Sequence, residues 1–75
     1  MSHLRLGIIG ATGAVGEECI QLIQDRGVPF THLRLFSSKR SAGKKYNINN
    51  KEYSVEEYTE ATRLDNLDYV ILATP

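Results

Sequence analysis

An α/β fold built on a parallel sheet is the fold class that this sequence predicts, and three stretches lead to it. The apolar stretch LRLGII, residues 4–9, is typical of a strand buried on both faces. A helical pattern begins at Ala14, and a second strand-like stretch, HLRLFSS, covers residues 32–38. Strand, helix and strand at this spacing form a βαβ unit, which implies a parallel pair joined by a right-handed crossover.

The helix is predicted to begin at Ala14 and to stop before Gly27. Glu17 and Glu18 fall in its first turn, where the helix dipole favours negative charge. Gly27 is a good terminating residue, and Pro29 prevents continuation. Apolar residues recur at positions i, i+4, i+7 and i+8, so we expect them to form the buried stripe. These residues are Val15, Cys19, Leu22 and Ile23.

Beyond the second strand the pattern changes to a loop, a hairpin and a last strand. Residues 37–45, SSKRSAGKK, are small, polar and basic, which indicates a loop. Alternating apolar residues on either side of Asn49-Asn50 predict a hairpin or two short strands. Residues 56–67 are polar and indicate a strand end followed by a loop or single helical turn. Residues 68–73, DYVILA, predict the last strand.

Composition bounds the possible functions. The chain has 75 residues, 41% hydrophobic and 24% charged, with zero net charge, which fits one small domain. The charge balance speaks against nucleic acid or an anionic membrane as a partner. No apolar stretch approaches the ~18 residues of a membrane span. The single cysteine excludes an internal disulfide framework and fits a cytoplasmic protein.

Three glycines mark the junction of the first strand and the helix. Gly10, Gly13 and Gly16 are spaced G-x-x-G-x-x-G, a variant of the common dinucleotide fingerprint. Gly10 permits a sharp exit from the strand, Gly13 a close approach to a pyrophosphate, and Gly16 close packing of the helix. The spacing therefore predicts a Rossmann-like dinucleotide-binding domain, a doubly wound parallel sheet. The alternative is a purely structural turn. We expect this chain to be a partial, truncated form of that domain, because the sequence stops on the apolar strand of residues 69–75.

The start of the helix would supply the donors to a phosphate. Free N–H groups around Gly13, Ala14 and Val15 would face the anion. The Thr12 hydroxyl could cap the helix or bond a phosphate oxygen.

The end of the second strand favours NADP over NAD. An NAD site usually has an acidic residue here, about 20 residues after the glycines, to bind the ribose 2′-hydroxyl. This chain instead has Ser38, Lys39, Arg40 and Ser41. A guanidinium can bond a 2′-phosphate through two donors, and the serines can add hydrogen bonds. The alternative is a solvated basic loop, which we favour for Lys39 but not for Arg40.

Two motifs together resemble a known family. GIIGATGAVGEE followed by LFSSKRSAGKK is similar to the amino-terminal cofactor half of bacterial aspartate-β-semialdehyde dehydrogenases. The resemblance covers essentially the whole chain, including the hairpin and the strand DYVILATP. It implies the reversible, NADPH-dependent conversion of aspartyl phosphate to aspartate semialdehyde, a step toward lysine, methionine and threonine. It also implies a homo-oligomer, a dimer or tetramer, for the intact enzyme.

The resemblance also implies roles for individual residues. Thr12, Gly13, Ala14 and Val15 would form the diphosphate turn after Gly10. Arg40 and Ser41 would hold the 2′-phosphate with help from Ser38. Residues 73–75 would approach the adenosine or nicotinamide side, although Thr74-Pro75 departs from the Ala-Gly or Gly-Gly frequent in the family.

Two other functions stay open. N-acetyl-glutamyl-phosphate reductases share the fold and a similar turn, but typically carry Tyr-Thr where this chain has Ala14-Val15. A non-catalytic nucleotide-binding module is the second, because no nucleophile of the family is identifiable here.

The chain ends on the strand YVILATP, which has the apolar character of a central strand. We therefore expect residues 1–75 to be the amino-terminal part of an NAD(P)-binding domain, with the catalytic and dimerisation domain absent. A small complete domain is the alternative.

No residue of this chain is a good catalytic candidate. Cys19 lies on the predicted helix stripe, where a cysteine is most simply a core residue. His3 and His32 precede strands, at the wrong end of a parallel sheet for ligand binding, so we expect both at the surface. No grouping of acidic residues and histidines has metal-ligand spacing.

Overall fold

A mixed sheet of five strands with one α-helix against it makes up residues 4–73, the part of the chain that the computed structural model describes. The elements are β1 Arg5–Ile9, α1 Ala14–Asp25, β2 His32–Ser37, a 3₁₀-helix Lys39–Ser41, β3 Lys45–Ile48, β4 Lys51–Glu57 and β5 Tyr69–Leu72. The strand order is β3-β4-β2-β1-β5. β1 pairs in parallel with β2 and β5, β2 pairs in parallel with β4, and β3 pairs in antiparallel with β4. The predicted α/β class and the β1-α1-β2 unit are confirmed.

The main core lies between α1 and one face of the sheet. Ile8 of β1 stands between Leu35 of β2 and Ile71 of β5, and Leu35 pairs in turn with Val55 of β4. Ile8 and Leu35 are completely buried. Alternate residues of neighbouring parallel strands thus form one continuous apolar layer for the helix to cover.

The opposite face of the sheet is covered by residues 58–68, which form no α-helix. Phe36 is fully buried there, with the Tyr58 ring edge-on at 6.0 Å and the Arg34 guanidinium 4.8 Å above it. Arg34 donates to both carboxylate oxygens of Glu56, at 2.8 and 3.0 Å, and to the carbonyl oxygen of Arg63 at 2.8 Å. These bonds fasten the covering segment to β2 and β4.

The expected buried stripe of α1 is wrong in two of its four members. Val15 is 53% exposed and Leu22 48% exposed, Cys19 is half-buried, and Ile23 alone is buried as expected. The helix turns a neighbouring line of residues toward the sheet, because its first turn packs on the backbone that leaves β1. The buried residues of α1 are Gly16, Ile20 and Ile23.

The predicted hairpin is confirmed and has a tight turn. β3 and β4 pair around Asn49 and Asn50, which have φ of 53° and 66°. Positive φ at both central residues is the mark of a type I′ turn, which asparagine tolerates. The preceding loop contains the 3₁₀-helix and is tied to β4 where the Gly43 N–H donates to the Val55 carbonyl at 2.8 Å.

None of the helices within residues 4–73 combines the length and apolar character needed to cross a lipid bilayer.

Candidate dinucleotide-binding site

The glycine-rich turn is fastened to the carboxyl end of β2. Gly10, with φ of 88°, begins the turn in a conformation that favours glycine. The N–H groups of Gly10 and Ala11 both donate to the Phe36 carbonyl, at 2.8 and 3.0 Å. The Thr12 hydroxyl lies 2.7 Å from that of Ser37. The turn and the end of β2 therefore form one rigid unit at the edge of the sheet where ligands of open α/β sheets bind.

The fold requires a glycine at position 16 but not at position 13. A Cβ on Gly16 would lie 2.6 Å from Ala11 Cα and closer still to the Gly10 carbonyl oxygen, so only glycine fits there. A Cβ on Gly13 would meet only the Gly10 oxygen, at an ordinary 3.5 Å. Gly13 is exposed and has φ of −78°, which other residues adopt freely. Nothing in the fold requires a glycine at position 13.

The amino terminus of α1 leaves backbone donors open to solvent. The first intrahelical bond runs from the Glu17 N–H to the Gly13 carbonyl at 2.9 Å, so the preceding N–H groups have no acceptor within the helix. Ala14 and Val15, which carry two of them, are exposed. Among residues 4–73, no side chain caps this end of the helix. Open donors and the positive end of the helix dipole make this point suitable for an anion.

Thr12 does not cap α1, which corrects one of the two roles expected for it. Gly13 is the N-cap residue, and the Thr12 hydroxyl bonds Ser37 instead. The cap requires the side chain of the residue just before the helix, and Thr12 lies one position too early. A contact between Thr12 and a phosphate stays a prediction.

The basic loop lies directly beyond β2. Ser38 caps the 3₁₀-helix Lys39–Ser41, and its carbonyl accepts the Ser41 and Ala42 N–H groups at 3.0 and 3.1 Å. The Lys39 and Arg40 side chains are exposed, and within residues 4–73 neither has a hydrogen bond or ion pair. Ser41 is half-buried. The candidate residues Ser38, Arg40 and Ser41 thus share one turn of chain, with the Arg40 guanidinium free for a ligand.

Lys44, another basic residue of the same loop, is paired with an acidic side chain. Its Nζ lies 3.5 Å from a carboxylate oxygen of Glu17, to which Tyr46 also donates a hydrogen bond at 2.7 Å. The Tyr46 hydrogen bond first, and the Lys44 charge second, lower the pKa of Glu17 below its ordinary value. The negative charge of Glu17, in the first turn of α1, is therefore balanced by the positive charge of Lys44.

A cleft of about 310 Å³ opens between the ends of the three parallel strands β1, β2 and β4. Tyr58 forms one wall, a position that sequence reasoning missed, since Tyr58 was expected only as one of three scattered anchors of a polar segment, with Leu64 and Leu67. The available signal is positional, because Tyr58 directly follows β4 as Gly10 follows β1 and Ser38 follows β2. The other lining residues are Ile9, Gly10, Ser37 and Ser38.

The other residues considered in the sequence are two histidines, one cysteine and the residues that follow the last strand. His32 is exposed at the amino end of β2, on the edge opposite the cleft, as expected. Cys19 packs against the core but is only half-buried. Ala73 is buried and donates to the Ile9 carbonyl at 2.9 Å. His3, Thr74 and Pro75 lie outside the described residues.

Comparisons with protein families and known relatives show which family of proteins this domain matches. The family model described as "Semialdehyde dehydrogenase, NAD binding domain" matches residues 5–75. The aspartate-semialdehyde dehydrogenase of Corynebacterium glutamicum is 36% identical over 70 residues, which are 91% of this chain and 20% of that protein. The enzyme of that name from Bacillus subtilis is 43% identical over 54 residues, 72% of this chain and 16% of that protein.

Solved structures agree with the family match. Aspartate semialdehyde dehydrogenase II of Vibrio cholerae, complexed with ASA, superposes with a TM-score of 0.90 at 33% identity, covering 97% of this chain and 24% of that one. A probable aspartate-semialdehyde dehydrogenase from Pseudomonas aeruginosa gives 0.86 at 26% identity, covering 96% of this chain and 21% of that one. The chain thus spans about a fifth of the first curated relatives it matches.

Proposed function

The chain belongs to the semialdehyde dehydrogenase family, and on that premise we propose that it supplies the cofactor-binding segment of an NADP-dependent aspartate-semialdehyde dehydrogenase. In this proposal residues 1–75 are the amino-terminal part of the NAD(P)-binding domain. The catalytic and oligomerisation domain belongs to the rest of the intact protein, as the one-fifth coverage of the relatives suggests.

The reaction we propose for the intact enzyme is the reductive dephosphorylation of aspartyl phosphate. NADPH would supply the hydride that replaces phosphate at the acyl carbon, giving aspartate semialdehyde, NADP⁺ and phosphate, and the semialdehyde would serve lysine, methionine and threonine synthesis. The residues of this chain bind and orient the cofactor. The relatives that share the family bear the name of this activity, and one of them was solved in complex with ASA.

The observation that carries the choice of NADP is the unpaired Arg40. Arg40 lies in the 3₁₀-helix just beyond the carboxyl end of β2, with Ser38 and Ser41 in the same turn, and within residues 4–73 no acidic side chain pairs with it. A planar guanidinium binds a phosphate through two donors and gains nothing comparable from a hydroxyl. Gly10, Thr12, Gly13, Ala14 and Val15 would hold the diphosphate at the open end of α1.

Two further parts of the proposal concern the intact protein. The single cysteine suits a reducing, cytoplasmic compartment. A dimer or tetramer is proposed from the family resemblance alone, through parts of the protein beyond this segment.

The test is to assay the intact protein in the reverse direction, with aspartate semialdehyde, phosphate and either NADP⁺ or NAD⁺. We expect phosphate-dependent reduction of NADP⁺ in preference to NAD⁺. Turnover of N-acetylglutamate semialdehyde instead would assign the protein to the N-acetyl-glutamyl-phosphate reductases. Binding of NADP⁺ without turnover of either aldehyde would identify a non-catalytic nucleotide-binding module.

A further inference from the structure

The cleft beside Tyr58 is too small for a dinucleotide but suits one part of it. Its volume of about 310 Å³ is at the lower end for small-molecule pockets. Gly10, which opens the diphosphate turn, lies on one side, and Ser38, which precedes Arg40, lies on another. An occupant of this cleft would therefore touch both the turn and the loop proposed for the 2′-phosphate.

Tyr58 is held firmly in the wall of this cleft. Its N–H donates to the Ser37 carbonyl at 2.9 Å, which continues the β2–β4 pairing by one residue. The ring meets Phe36 edge-on, with centroids 6.0 Å apart and planes inclined by 77°. Phe36 is fully buried, whereas Tyr58 is 44% exposed. The ring is thus fixed at one side and open to solvent at another.

We propose that the Tyr58 ring stacks against the adenine of the cofactor and is a binding residue of the adenosine half. This inference rests on the proposed function, since it takes the 2′-phosphate to lie at Arg40. The adenine is bonded to the ribose that carries this phosphate, so it must lie close to Ser38. Every nucleobase has an aromatic face, and stacking on a preordered tyrosine gains affinity without ordering a new side chain.

The test compares two substitutions that both keep an apolar side chain on Phe36. Tyr58→Phe keeps the aromatic face, and Tyr58→Leu removes it. We expect Tyr58→Leu to weaken binding of NADP⁺ to the intact protein about tenfold and Tyr58→Phe to change it less than about twofold. Calorimetry measures both dissociation constants. The Tyr58→Leu variant should also bind adenosine 2′,5′-bisphosphate, which lacks the nicotinamide half, about tenfold more weakly than the unmodified protein does.

Tyr53→Leu is the matched control. Tyr53 lies near the start of β4, the strand that Tyr58 follows, and its ring also meets a phenylalanine edge-on, Phe30 at 6.3 Å. This variant should bind NADP⁺ like the unmodified protein. Equal affinities of the Tyr58→Leu and Tyr58→Phe variants would overturn the stacking role and leave Tyr58 as a cover for Phe36. Failure of the unmodified protein to bind NADP⁺ would instead refute the proposed function.

Discussion

Glu17 joins the first turn of α1 to the hairpin. Its carboxylate accepts a hydrogen bond from Tyr46 at 2.7 Å and lies 3.5 Å from the Lys44 ammonium. Both contacts favour the charged carboxylate and hold the pKa of Glu17 below its usual range. The helix terminus proposed for phosphate binding is therefore oriented by groups outside the helix as well as by its packing on the sheet.

Replacing Tyr46 by phenylalanine should raise the pKa of Glu17 toward its ordinary value. The hydroxyl is the larger cause of the lowered pKa, and phenylalanine removes it while keeping the ring. Because the folded-state pKa is lowered, the contact stabilises the fold above the unfolded pKa of about 4.3 and is lost as pH falls through the folded pKa. NMR titration of the Glu17 carboxyl measures the shift.

Tyr53→Phe serves as the control in this titration, since Tyr53 contacts Phe30 and not Glu17. An unchanged Glu17 titration in the Tyr46→Phe variant would contradict the role given to the hydroxyl.

The roles of single residues could be predicted from the sequence only where the local geometry of the backbone determines them. The N–H groups after Gly13 are open because every helix leaves its first donors unpaired. Thr12 was misjudged because its partner, Ser37, is 25 residues away and meets it only through the parallel pairing of β1 and β2. Tyr58 was overlooked for the same kind of reason, since the cleft exists only once three strand ends meet.

The glycine-rich turn and the start of α1 act as one element. Gly16 allows the helix to contact the backbone of Gly10 and Ala11, whereas Gly13 has free space around it. The fold therefore needs the glycine at position 16 but not the one at position 13, which fits the proposed place of Gly13 at the cofactor diphosphate.

Alanine substitutions should separate these two roles. Gly16→Ala should destabilise the protein by about 1–3 kcal/mol, because the clashing atoms belong to the backbone and cannot rotate away. Gly13→Ala should lower stability by less than about 1 kcal/mol, the ordinary loss at an N-cap, yet weaken NADP⁺ binding. Urea unfolding and calorimetry measure the two effects. Equal destabilisation by the two variants would contradict the distinction.

Element types and order could be predicted from the sequence, whereas the buried face of α1 could not. Strand periodicity, the glycine signals and Asn49-Asn50 are local, and they gave β1, α1, β2 and the hairpin to within about a residue or two. α1 carries two adjacent apolar lines, and the bulkier one contains Val15 and Leu22. The line with Gly16 is the buried one, because only a residue without a side chain fits against the turn.

At the scale of the whole molecule, apolar surface is concentrated at one side. β5 is an edge strand within residues 4–73, and its Leu72 is 71% exposed. Leu22 and Cys19 of α1 and Ile71 of β5 line a shared surface depression close by. An apolar edge strand next to an apolar helix face favours association with other chains.

The 75-residue chain produced alone should therefore self-associate. We expect its apparent mass in light scattering to rise with concentration. Leu72→Lys should reduce this rise, because a lysine on an edge strand opposes strand pairing. Ser54→Lys, at an exposed position of the inner strand β4, adds the same charge away from that edge and is the matched control. A cooperative, monomeric chain at all concentrations would contradict the expectation and favour a complete small domain.

We propose above all that this segment binds NADP through the Arg40 guanidinium, in the 3₁₀-helix just beyond β2. The most direct measurement is calorimetric titration of the intact protein and its Arg40→Ala variant with NADP⁺ and with NAD⁺, with Lys39→Ala as the matched control. We predict that Arg40→Ala weakens NADP⁺ binding by about 1.5–3 kcal/mol, the size of a charged hydrogen bond, and barely changes NAD⁺ binding. Lys39→Ala should change both affinities little. Equal losses for NADP⁺ and NAD⁺ in the Arg40→Ala variant, or no loss for either, would contradict the account.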